Sequence, residues 1–289
     1  MIPNVEYKKP KTLEVALEYM KKEGSVALAG GTDVVVNMRE EKLLPKLLVD
    51  LKGLEELKGI CEIPEGIWIG ALEPVQKVVE NPLIAPYTAL VEGAGSIGCL
   101  EIRYRATIGG NICNGSPSAD SLPGLLVYDA MAVIVSDAGE RKVSLESLLL
   151  GPGKVDLKKG EILKGIILPK MKDCSKSKYY RRTRVKGMDL SGVSVAVYAE
   201  NLGIEGKSQV RIALGAVMPT VARARKGEAI LAGKKLTDQL IDEAIDEILK
   251  DVNPRKGSLR ANPEYKKKMV GALIKKALCE IKGGASCEA

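Results

Sequence analysis

Leu28-Ala29-Gly30-Gly31-Thr32-Asp33 is the stretch on which the fold reading turns. It follows a short apolar run, Ser25 to Ala29, that reads as a buried strand. It precedes Val34-Val35-Val36-Asn37-Met38, whose spacing predicts a helix. A second stretch repeats the theme: Thr107-Ile108-Gly109-Gly110-Asn111, continuing through Asn114-Gly115-Ser116-Pro117-Ser118-Ala119-Asp120. Paired glycines let backbone N–H groups turn toward one point with no Cβ in the way. Such a concavity suits a pyrophosphate, which accepts charge-assisted hydrogen bonds of ~1.5–3 kcal/mol each. Thr32, Thr107, Asn111 and Asn114 offer further donors, and Asp120 an acceptor for a ribose or ribityl hydroxyl. Neither stretch is G-x-G-x-x-G or a phosphate-binding P-loop. Each taken alone also reads as a tight strand-to-helix turn; both together, with flanking donors, point to a dinucleotide.

Working outward, Thr12 caps a helix with Leu13, Ala16, Leu17 and Met20 on one face, and Gly24 stops it. Leu47 to Leu51 is a second strand of this first α/β unit. Beyond it, Ile67 to Ala71 reads as a strand, Pro74–Val79 and Pro86–Ala94 as helices, and Leu122–Ala130 as a buried helix. Ala132–Ser136 and Arg141–Ser144 form a hairpin around an Asp/Gly turn. Glu161 to Leu168 is a last strand before Pro169. Lys170–Lys178 is polar and reads as a linker. Three β-rich segments follow (178–185, 193–200 and 209–217), then a Thr237-capped helix to Lys250 and another from Asn262-Pro263 carrying Met269, Leu273, Ala277 and Ile281. The expected class is α+β: two small α/β subdomains (about 1–55 and 56–173), then an α+β domain over 177–283 with an antiparallel sheet on helices, and a frayed tail at 284–289.

Composition narrows the chemistry. The 289 residues contain no His and no Phe. Without His there is no Ser-His-Asp or Cys-His nucleophile system and no imidazole metal site. Six cysteines (Cys61, Cys99, Cys113, Cys174, Cys279 and Cys287) lack the spacing of a zinc or iron–sulfur ligand set and read as reduced thiols, so no metal is expected on this chain. No apolar run matches a membrane span, and the start of the chain lacks a secretory core, so a cytoplasmic protein is expected. Residues 250–282 hold ten Lys/Arg against three Asp/Glu, which reads as a solvated helix face rather than a nucleic-acid surface.

Leu28 to Asp33, Arg103 to Ile112 and Ser116 to Pro123 together resemble the FAD-binding subunit of the molybdenum hydroxylases. That family includes the medium subunit of carbon monoxide dehydrogenase and the flavin domain of xanthine dehydrogenase. The resemblance covers essentially the whole chain, including Arg211 to Thr220 and Arg223-Ala224-Arg225. It implies a two-subdomain flavin fold of the p-cresol methylhydroxylase/vanillyl-alcohol-oxidase type. It further implies that Leu28, Ala29, Gly30, Gly31, Thr32 and Asp33 wrap the FAD pyrophosphate from one side. Thr107, Ile108, Gly109, Gly110, Asn111 and Asn114 would hold it from the other, with Asp120 on the sugar or ribityl hydroxyls. Leu163 and Arg181 match further family contacts. Where xanthine dehydrogenases set a Phe against the flavin ring, this chain has Ile97, followed by Gly98. The inserted iron–sulfur segment of 4-hydroxybenzoyl-CoA reductases is missing.

The implied function is electron transfer. A large molybdenum–pterin subunit would oxidise substrate, a small subunit with two [2Fe–2S] clusters would relay electrons, and FAD here would pass them to NAD⁺ or another acceptor. No residue of this chain then needs to act as a nucleophile or catalytic acid, in keeping with the missing His. Tyr179, Tyr180 and Arg181 to Arg184 line an acceptor channel or form a basic strand edge. Cys99 and Cys113 flank the motifs as small thiols. The alternative is a free-standing FAD oxidoreductase of the same fold, which would need an acid or base beside the flavin.

Overall fold

The computed structural model describes residues 4–202, 204, 206–258 and 261–283. The expected frayed tail at 284–289, with Cys287, lies outside the described residues. The first unit is β1 (Glu6–Lys8), α1 (Leu13–Met20), β2 (Ser25–Leu28), α2 (Val34–Arg39) and β3 (Leu47–Asp50). Its sheet is parallel in the order β1-β3-β2, so β3 is central and every one of its residues is buried. Parallel neighbours need crossovers, which α1 and α2 supply. Thr12 caps α1 through the Val15 amide, as its sequence position predicts.

The second unit comprises β4 (Ile60–Ile63), β5 (Gly66–Gly70), α3 (Val75–Glu80), α4 (Thr88–Gly95), α5 (Leu100–Arg105), α6 (Ile108–Cys113), α7 (Ser121–Val127), β6 (Met131–Ser136), β7 (Gly139–Ser144), α8 (Leu145–Leu148), β8 (Leu149–Gly151), β9 (Lys154–Val155) and β10 (Ile162–Pro169). Five strands pair antiparallel as β4-β5-β10-β6-β7, and β8–β9 is a separate small hairpin. Ile69, Ile134 and Ile166 of the sheet share one core with Ile108 and Ile112 of α6 and with Leu122 and Leu125 of α7. The buried helix expected over 122–130 is α7, which ends at Val127 because Asp129 turns the chain at φ 52°.

The third unit is β11 (Lys176–Arg182), β12 (Val193–Glu200), β13 (Gln209–Gly215), β14 (Ala222–Arg223), α9 (Arg225–Leu231), α10 (Asp238–Asp251) and α11 (Pro263–Gly283), with an antiparallel sheet ordered β11-β12-β13-β14. The sheet starts inside the expected linker, at Lys176, and a short fourth strand follows the three that the sequence predicts. Every residue of β12 is buried, and alternation explains why. Val193, Val195, Val197 and Ala199 pack on the α10 and α11 core, while Ala196 and Tyr198 enter the core of the second unit. The expected α11 stripe is corrected by half: Ala277 and Ile281 are buried, but Met269 and Leu273 only partly, beside Val270, Ile274 and Leu278. The basic stretch is not wholly solvated either, since Lys266 is buried and its ammonium donates to the Ala216 carbonyl at 2.9 Å.

Candidate functional site

The two glycine stretches meet edge to edge. A Cβ placed on Gly30 would lie 1.9 Å from the Arg105 carbonyl oxygen, and Gly31 has φ 78°, so this turn admits no larger residue without moving backbone. Across the junction, the position of a Gly110 Cβ is 4.0 Å from the Ala29 methyl. Leu28, Ala29, Gly30 and Gly31 are half-buried along this seam, Thr32 likewise, and Asp33 is exposed at its end. The Asp33 carboxyl is pushed upward by its partial desolvation.

The backbone N–H groups of Gly30, Gly31, Thr32 and Asp33 donate no hydrogen bond among the described residues. The second stretch behaves differently, which corrects the expectation that both glycine pairs aim their amides outward. Ile108 N–H donates to the Glu73 carbonyl, Gly109 N–H to the Ala71 carbonyl and Asn111 N–H to the Thr107 carbonyl. Gly110 N–H donates to the Thr107 hydroxyl at 3.0 Å, which caps α6. Gly109 is tight for a separate reason: a Cβ there would sit 2.5 Å from the Ala71 methyl. This second pair therefore docks α6 on the sheet, and what it offers a ligand is side chains. Thr107 keeps its hydroxyl hydrogen. Asn111 keeps its NH₂, because Ser121 Oγ donates to its Oδ1 at 2.6 Å. Asn114 closes α6, with its own N–H on the Gly110 carbonyl.

Ser121 links this seam to its neighbour in sequence, Asp120, which is 4% exposed. Both carboxylate oxygens of Asp120 already carry protein donors. Tyr179 Oη and Ser191 Oγ donate to Oδ1 at 2.6 and 2.5 Å, and Arg181 Nη1 donates to Oδ2 at 3.1 Å. Burial holds the Asp120 pKa above its ordinary value even though these donors oppose the shift, and burial next to that carboxylate raises Tyr179 well above the usual tyrosine value. The structure thus brings Arg181 to Asp120. Leu163 lies 4% exposed in β10 beside a register shift, and the adjoining Lys164 carbonyl accepts the N–H of Ala71, the residue behind Gly109. Ile97 and Gly98 lie apart, on the α4–α5 connection, where Arg103 Nη1 holds the Ile97 carbonyl at 3.1 Å.

Sequence reasoning missed Ser121 and Ser191 and gave Tyr179 to a channel wall or a basic strand edge. Only the short spacing of Asp120 and Ser121 hinted at the first. Tyr180 points the other way: it hydrogen-bonds Glu280 with Lys276 stacked 4.3 Å above its ring. Arg184 is clamped by Asp189 through two nitrogens, at 3.2 and 2.9 Å. Cys113 is a partly buried thiol, pushed up to about 12 by desolvation. No helix among the described residues is long and apolar enough to cross a membrane.

Residues 3–171 match the family model of the FAD-binding domain in molybdopterin dehydrogenases, and residues 178–281 match the C-terminal domain of carbon monoxide dehydrogenase flavoproteins. The chain belongs to this flavoprotein family. It is 33% identical over 261 residues to the xanthine dehydrogenase FAD-binding subunit of Escherichia coli O157:H7, covering 89% of each chain. It is 30% identical over 279 residues to the carbon monoxide dehydrogenase medium chain of Hydrogenophaga pseudoflava, covering 96% of each. The solved carbon monoxide dehydrogenase of that organism superposes with a TM-score of 0.91 at 29% identity, over 96% of this chain and 97% of that one. The protein is thus a flavoprotein component of an oxidoreductase complex, with FAD as its cofactor. The residues present fit a dinucleotide: four amides without an acceptor among the described residues, a turn with no room for a Cβ, and an adjoining stretch that carries hydroxyl and amide side chains.

Proposed function

We propose that this chain is the cytoplasmic electron-transfer subunit of a multi-subunit molybdenum hydroxylase. In that reading, [2Fe–2S] clusters of a small partner, reduced by a large molybdenum–pterin subunit, deliver electrons here, and NAD⁺ or another acceptor removes them. Bound FAD supplies the redox chemistry, and the protein supplies binding and orientation. The amides of residues 30–33 hold the pyrophosphate, and Thr107, Asn111 and Asn114 donate from the facing side. Asp120 accepts from sugar or ribityl hydroxyls, with Arg181 balancing its charge. Ile97, Gly98 and Leu163 wall the ring end. Residues 1–173 are read as the flavin-binding part and 177–283 as the C-terminal domain.

The observation that carries this reading is the run of open amides at residues 30–33, where the first glycine turn abuts the stretch 105–110, in a chain that spans 96% of a medium chain. A free-standing oxidoreductase would need an acid or base. The site's carboxylates are Asp33, exposed at the rim, and Asp120, tied to three donors. The test is an absorption spectrum of the chain alone and of the chain co-purified with its native partners, with acid extraction of flavin. FAD in both, and iron–sulfur absorbance only in the complex, is the expected result. No flavin in either preparation refutes the site. Substrate turnover by the lone flavin-loaded chain refutes the electron-transfer role.

A further inference from the structure

A carboxylate that is 4% exposed holds its charge only where donors replace the lost water, and Asp120 draws all of its side-chain donors from the C-terminal sheet and its first loop. Tyr179 and Arg181 alternate with Tyr180 along β11, so both face the second unit, and Ser191 lies just before β12. The segment between them is braced from within. The Arg184 side chain and N–H, together with the Leu190 N–H, all donate to the Asp189 carboxylate. The Tyr179 N–H is fixed by Glu92 Oε2 of α4 at 2.8 Å. A carboxylate oxygen has two lone-pair sites. Oδ1 receives two donors and is full, whereas Oδ2 receives only Arg181 and has one site left.

We propose that Tyr179 and Ser191 are positioning residues of the FAD site: by filling Oδ1 they fix the Asp120 rotamer so that Oδ2 meets a cofactor hydroxyl. This rests on the reading of Asp120 as an acceptor for the cofactor. It makes the C-terminal domain a part of the flavin site, acting through a residue it does not contain. Neither hydroxyl touches the cofactor itself.

The experiment is a double-mutant cycle on the full chain, stripped of flavin and titrated with FAD, with visible circular dichroism of the bound flavin and the melting temperature of the stripped protein read alongside. Tyr179→Phe removes one charge-assisted bond to Asp120 and is expected to weaken FAD binding on the order of tenfold. Ser191→Ala does the same with a smaller change of shape, and serves if the tyrosine variant fails to fold. In an Asp120→Asn background either change is expected to add less than about twofold, because the group it acts through has already been altered. The flavin dichroism is expected to change in the single variants. FAD affinity within twofold of wild type in both single variants overturns the inference. So does a loss that persists in full beside Asp120→Asn, since that is the mark of a merely structural role. A wild-type chain that takes up no FAD sinks the reading of the site itself, a result the cycle separates from the other two.

Discussion

Replacing Gly30 with alanine puts a methyl 1.9 Å from the Arg105 carbonyl oxygen, a distance no side-chain rotation can relieve because both parties are backbone. The turn between β2 and α2 must move away from the α5–α6 connection, and the open amides of residues 30–33 move with it. Overpacking of this kind costs about 1–3 kcal/mol. The expected outcome is a folded chain with a lowered melting temperature that no longer retains FAD through gel filtration. Gly95→Ala is the contrast. There the new methyl meets only the Val79 methyls, at 3.8 and 4.0 Å, at the last position of helix α4, so stability should hold or rise by about 0.5 kcal/mol with FAD uptake intact. Retention of FAD by Gly30→Ala at wild-type affinity would place the pyrophosphate somewhere else.

At the scale of elements, the edge of the second sheet carries a built-in acid limb. Arg141 of β7 grips Glu161, just ahead of β10, through two bonds of 2.8 Å, and Lys158 N–H adds a third at 2.7 Å. These contacts, Arg141 first, hold the Glu161 carboxyl below its ordinary value near 4.5. Folding therefore favours the ionised form. Its stabilisation is complete above about pH 4.5 and is lost as pH falls toward the lowered folded value. Arg141 also reaches Asp156, and it keeps some solvent, so Glu161→Gln should cost only about 1 kcal/mol at pH 7. Urea unfolding at pH 7, 5, 4 and 3 should show that difference shrinking at the acid end; a constant gap would mean the charge does not matter. Elements such as β7 were legible because period-2 or period-3.6 patterning and turn residues agree along them. Helix α6 was not. Ile108-Gly109-Gly110-Asn111-Ile112-Cys113 has two residues of poor helix propensity in one and a half turns, and forms because Thr107 caps it and Ala71 and Glu73 accept its first amides. Those partners lie far away in sequence, so the stretch read as a second concavity of open amides or a tight strand-to-helix turn. The same holds for the donors on Asp120: the carboxylate was visible, but Tyr179 and Ser191 become its neighbours only when the C-terminal sheet docks.

The whole molecule behaves as one unit because its largest core ignores the boundary near residue 175. Tyr179, Ala196, Tyr198, Ala213 and Val221 of the C-terminal part belong to the same buried cluster as Ile69, Leu90, Ile108 and Leu125. Tyr87, Tyr128 and Tyr198 stack edge to face across the junction, with ring centroids 5.0 and 5.6 Å apart. Around them, Arg211 and Arg223 both reach Asp129, and the Ala216 N–H donates to the Pro117 carbonyl. Separating the two parts would put Ala196 and Tyr198 of β12, and the second-unit residues packed on them, in water, so neither has an independent melting step to offer. Calorimetry of the flavin-stripped chain should therefore show a single transition. FAD at a hundredfold excess over its Kd adds about 2.7 kcal/mol to the folded state, and for a chain of this size that moves the transition up by roughly 5 °C. All of the transition should move, including the part due to α10 and α11, which lie on the far side of the C-terminal sheet from the flavin unit. Two transitions, of which FAD shifts only one, would show that the shared core is too weak to couple the parts, and that flavin binding is the business of the first two units alone.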